Sequence, residues 1–582
     1  MKKLLLLAAF GLLASPAFAQ NNSASTSSTG NNNTVDVDQD GAQHEVIVDQ
    51  DGDDNVTNID QDGFSHKGVQ TSAGGDRNIT NVTQTGGDAG AMTGGNSLTR
   101  VELWGDDNTV DVLQDGDGQK AFVDIQGAGG GNDFNDVDIV QEGSGQDANV
   151  NIDGSLNDVD VDQAGADNNV GTVFTVTGVD IEGSDNSVDI DQDGDGNSAS
   201  ASVTGGGTFN TSTIRQGVEF GAAAGDADAN SASTTQAGTS NDATINQGVA
   251  AGFLVGADAE GNSASIDQDG SSNDATVNQG SAAGAFVGAV GIGNEASIEQ
   301  DGSSNDATVN QGSALGGLSA AAGLLNEATV TQDGTSNEAT VNQAATGTLD
   351  ASLGAVNEAF VDQLGDENDA FVTQDGIGNL GSIVQDGALN EADLNQQGSG
   401  NEANVNGFGD ITPGISQRGD GNLADVDQLG DDNRARLTMS GDDNDVTVLQ
   451  DGDDNKAAYE IWGDDNLVTI DQIGDDNSAF MNGRGTPPAP SGGVSFNTVD
   501  IDQDGAGNSF HGYMAEDSQL NQITISQDGS GNSVAGTLGP QGNAGLYVAG
   551  SSNTIDVMQT GMGNTADVEA VGDSNVHTVT QN

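Results

Sequence analysis

The chain has 582 residues, with 12 Lys plus Arg against 91 Asp plus Glu for a net charge of −79, so it lacks the basic surface that phosphate recognition needs. Nucleic acid is excluded as a partner. With 88 glycines and 4% aromatic residues it also lacks the large side chains that fill a conventional enzyme core.

Lys2 and Lys3 precede the apolar run from Leu4 to Leu13, and Ala17-Phe18-Ala19 places small residues where a signal peptidase reads. Residues 1–19 are therefore expected to be a secretory signal cleaved after Ala19. The run is too short to span a bilayer, and no later stretch reaches the roughly 20 apolar residues a membrane helix needs, so the chain is not read as transmembrane. It has no Cys, so stability outside the cell is expected to come from backbone pairing and repetition. Residues 20–33, rich in Gln, Asn, Ser and Thr, read as a flexible polar leader outside the fold.

From residue 34 to 582 one eleven-residue unit recurs: Asn-x-Ala/Val-x-Val/Ile-x-Gln-x-Gly-x-x. It is loose at Asn33, His44, Asn55, Asn157, Asn186, Asn197, Asn230 and Asn241, and regular from Asn262 onward. His44 and His66 occupy the Asn slot 22 residues apart, where hydrogen bonding is the expected role and a shared metal the lesser one. Trp104 and Trp462 each take the Gln slot before Gly-Asp-Asp-Asn, which suggests packed turns or exposed strand ends that a sugar ring can stack on.

The best units carry candidate structural ladders. One set pairs Asn262 with Gln268, Asn273 with Gln279, Asn294 with Gln300 and Asn305 with Gln311. The other pairs Asn326 with Gln332, Asn337 with Gln343, Asn357 with Gln363 and Asn368 with Gln374. Asn, Ala/Val, Val/Ile and Gln fall on alternate positions, so each unit is a half-buried strand and not a helix. Gly270, Gly302, Gly334 and Gly365 sit where the chain must turn. One strand cannot bury its face alone, and two facing units make the smallest closed rung. The expected fold is an all-β solenoid of stacked strand-turn-strand rungs, with 22-residue coils. Stacked rungs place Asn on Asn and Gln on Gln, which satisfies buried amides.

Between Asn262, Asn294 and Asn326 the spacing grows to 32 residues through Ala-, Gly- and Leu-rich inserts at residues 284–293 and 316–325, with a further insert at residues 347–356. A third strand is the favoured reading of these, and an apolar loop the other. Pro413 within residues 407–419, and Pro487, Pro488 and Pro490 within residues 483–493, mark irregular loops.

The run Gln268-Asp-Gly270-Ser-Ser-Asn273-Asp-Ala275-Thr-Val277-Asn-Gln279, repeated at residues 300–311, 332–343 and 363–374, resembles the curlin repeat of bacterial curli subunits. The resemblance implies extracellular amyloid fibres of the biofilm matrix and cell adhesion, on the surface of a Gram-negative bacterium. It also implies self-assembly, export through a dedicated outer-membrane channel and a nucleator.

Outward positions in Val35–Asp40, Val159–Gln163 and Val499–Asp504 are acidic throughout. Such columns read first as solvated faces, and second as weak calcium sites, the Asp-Gly-Asp-Asp-Asn turns at residues 51–55 and 451–455 offering several oxygens. No resident cofactor is otherwise expected. The leading function is a structural fibre protein. The alternative is a monomeric, calcium-stabilised adhesin stalk. Catalysis is not expected, because the few Lys and Arg are scattered and no acid-base cluster stands beside them.

Overall fold

The computed structural model describes residues 21–582 apart from residues 65, 67–68, 87–96, 127–131, 173–175, 286–287, 317–319, 345–350, 406–411, 484–493, 516–517 and 536–544. Among these residues every regular element is a strand, and the fold is an all-β solenoid. Successive strands alternate between two sheets. Sheet I begins with Ser23–Thr29 and Glu45–Asp51, and sheet II with Thr34–Ala42 and Val56–Phe64.

Within each sheet the strands run parallel and in register, one rung apart. Ser263–Ser271 lies residue for residue on Glu295–Ser303 in sheet I, and Asp274–Gln279 on Asp306–Gln311 in sheet II. The two-residue side-chain period turns Ala264 and Ile266 inward from one sheet, and Ala275 and Val277 from the other. All four are buried. Repeated rung by rung, these side chains form one apolar core from Val46 to Ala570. Small and β-branched residues suit it because the facing sheets approach closely, which explains why so few aromatics are needed.

In the long rungs the Ala- and Gly-rich inserts are strands. Glu219–Asp228 pairs in parallel with Ala250–Glu260, and the stack continues through Ala282–Ala285 with Gly288–Ile292, then Ala314–Gly316 with Ala320–Leu324, and ends at Ala351–Ala355. Ala250, Ala257, Ala282, Ala289 and Ala321 form a second small core under it. The stack rejoins sheet II where Gly354 and Ala355 pair with Gly376 and Ile377.

Two expectations are corrected. The polar leader does not stay outside the solenoid: Ser23–Thr29 pairs along its whole length with Glu45–Asp51, and Asn22 Oδ1 accepts the backbone N–H of His44 at 3.2 Å. An end strand needs no apolar face, since only one side has a neighbour, so a Ser/Thr run serves. The irregular region expected at residues 407–419 is shorter. Pro413 lies in a two-residue antiparallel bridge to Asn404 and Val405, and Ile415–Arg418 is already back in sheet I on Ile383 to Asp386. The signal segment at residues 1–19, and residues 407–411 and 484–493 of the expected loops, lie outside the described residues.

Candidate functional site: amide ladders and turn columns

Sheet II carries two columns of amides through every described rung. In the first, each Gln donates its Nε2–H to Oε1 of the next, from Gln39 on Gln61 at 2.8 Å to Gln559 on Gln581 at 2.7 Å. The candidate members Gln279, Gln311, Gln343 and Gln374 stand in this column at 2.9 Å separations. In the second, each Asn accepts on Oδ1 the backbone N–H of the Asn one rung on. The candidate members Asn273, Asn305, Asn337 and Asn368 link in this way at 3.0–3.1 Å, and the column runs from Asn33 to Asn575.

Sheet I is built differently. Its Asn column includes Asn262, Asn294, Asn326 and Asn357, linked at 2.9–3.0 Å, and runs from Asn168 to Asn564. Before Asn168 the slot holds Asn22, His44, His66, Ser97, Gln119 and Gln146. Its Gln column runs only from Gln236 to Gln417. It contains Gln268, Gln300, Gln332 and Gln363 at 2.8–2.9 Å, and on either side of it Leu103, Ile125, Ile152, Met439 and Ile461 fill the slot. The two sheets therefore diverge in polarity toward the ends.

Each Gln in the regular rungs also ties the sheets together. Gln268 Nε2 donates to the carbonyl of Asp242 at 2.8 Å, and Gln311 Nε2 to that of Glu295 at 2.9 Å, in both cases across to the facing sheet. Asn Nδ2 reaches the turn instead: Asn273 donates to the carbonyl of Gly302 at 3.3 Å and Asn337 to that of Gly365 at 2.8 Å. Both donors of Gln268 and of Gln311 are thus engaged inside the core, where an unpaired one costs about 1–3 kcal/mol.

The turns are columns too. Gly270, Gly302, Gly334 and Gly365 have φ between 117° and 133°, and a Cβ on Gly302 would lie 1.9 Å from the carbonyl oxygen of Gly334. Gly302→Ala is expected to lower stability by about 3 kcal/mol. Gly261→Asn is the control, since Gly261 has φ 62° with open space around it, and it should be near neutral. Urea unfolding midpoints of the two variants check this.

Sequence reasoning missed two turn features. The residue before each Asn adopts left-handed φ whatever its type, as Ser272 does at 59°, Leu325 at 55° and even β-branched Val356 at 57°. The first Asp of the acidic turns also has a defined partner. Asp53 Oδ1 accepts the backbone N–H of Asn31, Asp76 that of Asp53 and Asp106 that of Asp76, at 2.7–2.8 Å, and Asp453 accepts that of Asp431 at 3.0 Å. The signal was there in the repeated Gly-Asp-Asp-Asn. Among the described residues no group of three or more His, Asp or Glu side chains is placed to hold a metal ion.

His44 and His66 are buried and stacked, with ring centroids 5.2 Å apart and planes at 14°. Their Nε2 atoms lie 3.1 and 3.0 Å from the carbonyls of Asp40 and Asp62, while neither Nδ1 has a partner. Burial, and after it the charge of His44, pull the His66 pKa down. The tryptophans do not take the Gln slot, which Leu103 and Ile461 fill; alternation puts Trp104 and Trp462 one residue on, facing outward, Trp104 55% exposed and Trp462 half-buried.

On the outside of sheet II, acidic columns form by register. Asp138 lies between Asp111 and Asp160, and Asp160 against Asp189. Partial burial first, and the neighbouring carboxylates second, push Asp160 up to about 6 and Asp191 up to about 7. Asp393 is raised to about 6 for the same reasons, with Asp425 and Asp427 beside it. Arg215 Nη2 bonds Asp189 at 2.7 Å and relieves part of this charge.

Six segments of the chain, residues 30–63, 105–135, 183–217, 353–376, 414–438 and 550–582, match the family model described as the curlin associated repeat. No curated protein matches the chain.

Proposed function

Because the chain belongs to the curlin-repeat family, we propose that it is a secreted structural protein that forms or decorates curli-like extracellular amyloid fibres, contributing to biofilm matrix and cell adhesion. In this reading residues 1–19 are the cleaved signal, and a curli-type outer-membrane channel and a nucleator serve its export and assembly. The amides and glycines of the columns are structural, and none is assigned a catalytic role. Among the described residues no helix is long and apolar enough to cross a membrane.

One observation carries the proposal: among the described residues the terminal strands keep one unpaired edge. Ser23–Thr29 and Thr34–Ala42 at one end, and Val576–Gln581 at the other, each pair there with one neighbouring strand. An unpaired row of N–H and C=O groups templates another strand. The amide columns are polar in the same sense. At the last rung Asn575 presents an Oδ1 awaiting a backbone N–H, and at the first rung Asn33 presents an N–H with the complementary need.

The acidic columns favour one second reading, a monomeric stalk whose carboxylates bind calcium weakly. One experiment separates the two. Purified mature chain, incubated in chelator, should form dye-binding fibrils after a lag that preformed fibrils abolish. Loss of β structure in chelator without fibrils would overturn the fibre reading and favour the stalk.

A further inference from the structure

We propose that the outer face of sheet I carries two copies of one binding site for a neutral, extended polysaccharide, one centred on Trp104 and one on Trp462. These are the chain's two tryptophans, and they stand in the same local sequence: Glu102-Leu103-Trp104-Gly105-Asp106-Asp107-Asn108 and Glu460-Ile461-Trp462-Gly463-Asp464-Asp465-Asn466. Register repeats the match one rung on. Glu102 lies against Asp124 and Arg100 against Phe122, while Glu460 lies against Asn482 and Ala458 against Phe480. Each Trp–Glu pair is therefore followed by a Phe and a short polar side chain two residues apart. Nothing in the eleven-residue repeat calls for that combination, and in a chain with 4% aromatics it is not expected twice by composition.

The hydrogen bonding matches as well. Gln126 Nε2 donates to Glu102 Oε2 at 3.3 Å and to Asp124 Oδ2 at 2.7 Å; Asn482 Nδ2 donates to Glu460 Oε2 at 3.2 Å. Trp462 Nε1 donates to Glu460 Oε1 at 3.2 Å. At the equivalent positions Asp124 and Asn482 the remaining oxygen, Oδ1, is buried and accepts no hydrogen bond. Two matching clusters, each with a Trp and a partly exposed carboxylate side by side on the outer face, point to a ligand that brings a hydrogen-bond donor to Glu102 and to Glu460.

The chemistry of that donor follows from its surroundings. The Trp104 ring is seated against Gly74 of the preceding rung, where a Cβ would come within 3.1 Å of it. Aromatic faces of this kind stack on the C–H faces of a pyranose whose hydroxyls are equatorial, and those hydroxyls can donate to the Glu102 and Glu460 carboxylates beside the rings. A flat sheet suits an extended ribbon of such rings. A uronate or sulfate polymer is opposed by the net charge of −79. At the second site the aromatic surface extends through the edge contact of Phe480 with His511 at 4.7 Å and the stacked Tyr513 and Tyr547 at 5.9 Å.

About 13 rungs at roughly 4.8 Å separate the two sites, some 60 Å along the axis. One long chain can engage both, so avidity multiplies two weak contacts. The proposal does not depend on fibre formation and is tested on the full mature chain as a monomer. Because both tryptophans lie in the sites, their emission reports binding. It is expected to shift on titration with cellohexaose, and the protein is expected to pellet with amorphous cellulose.

Trp104→Ala or Trp462→Ala should each weaken pelleting by about 100-fold, the gain that bivalency confers, and the double variant should stay in the supernatant. Glu102→Ala provides a variant that leaves both rings in place and should weaken the first site alone. Circular dichroism matching the parent establishes that each variant is folded. Unchanged emission with cellohexaose, pelleting of the double variant like the parent, or binding of hyaluronate in place of cellohexaose would overturn the proposal.

Discussion

Gln311→Glu is expected to open the solenoid locally around residues 279–343 and to cost about 3–5 kcal/mol at neutral pH. Gln311 is fully buried. It accepts from Gln279 at 2.9 Å and donates to Gln343 Oε1 at 2.9 Å, to the carbonyl of Glu295 at 2.9 Å and to that of Asn326 at 3.2 Å. A carboxylate keeps the first bond and faces three oxygens with no proton to give. Gln311→Ala leaves those oxygens unpaired without adding charge, so its cost is expected to be smaller. Acid should rescue the Glu variant in part, because a protonated carboxyl regains one donor. Amide hydrogen exchange across residues 263–343 checks the location, since rungs of a solenoid open as neighbours. Equal urea midpoints for the Glu variant and its parent would remove the amide column from the account of stability.

The solenoid is also expected to be more stable at pH 5 than at pH 7.5. Asp160, Asp191 and Asp393 are raised to between about 6 and about 7, chiefly by partial burial and then by the carboxylates in register with them. A raised carboxyl pKa means that the folded chain holds more protons than the unfolded one between about pH 4 and pH 7. Unfolding free energy therefore falls as pH rises through that window, and grows as pH is lowered toward 4. His66 and His511 act in the opposite sense, because burial lowers both, but they are two groups against many raised aspartates such as Asp138, Asp162, Asp306 and Asp425. Asp191→Asn and Asp160→Asn should flatten the profile and add on the order of 1 kcal/mol each at pH 7.5, the full value being reduced by solvent screening. Thermal unfolding midpoints across pH 4.5–8 read the sign directly. A midpoint that rises with pH in the parent would contradict the assignment.

Much of this was legible in the sequence because Asn and Gln hold fixed slots. Asn262 and Gln268 recur at intervals that define the unit, and alternation with Ala264 and Ile266 separates strand from helix. The unlike character of the two sheets was not legible. Leu103, Ile125 and Ile152 fill the Gln slot of sheet I as well as a Gln does when the neighbours above and below are also apolar, so the motif fades while the alternation persists. The Ser23–Thr29 strand escaped notice because an end strand has no apolar face to reveal it. Acidity at Asp53 and Asp453 was read as charge, whereas their bonds to the preceding rung need the turn geometry to be seen. The pairing of Glu102 with Asp124 and of Arg100 with Phe122 depends on register, since nothing in a linear pattern sets residues about twenty apart side by side.

Cysteine pairs give the most direct test of in-register stacking, since the chain has no cysteine of its own. Ser265 and Ser297 are register partners on the outer face of sheet I, 32 residues apart in sequence, with their hydroxyl oxygens 3.2 Å apart. Adjacent strands at roughly 4.8 Å fall inside the Cα separation a disulfide accepts. The double variant Ser265→Cys with Ser297→Cys should cross-link under mild oxidation and keep its β structure, while Ser265→Cys with Ser303→Cys, out of register by six residues, should not. Equal cross-linking of the two pairs, or none in the first, would contradict the stacked-rung solenoid.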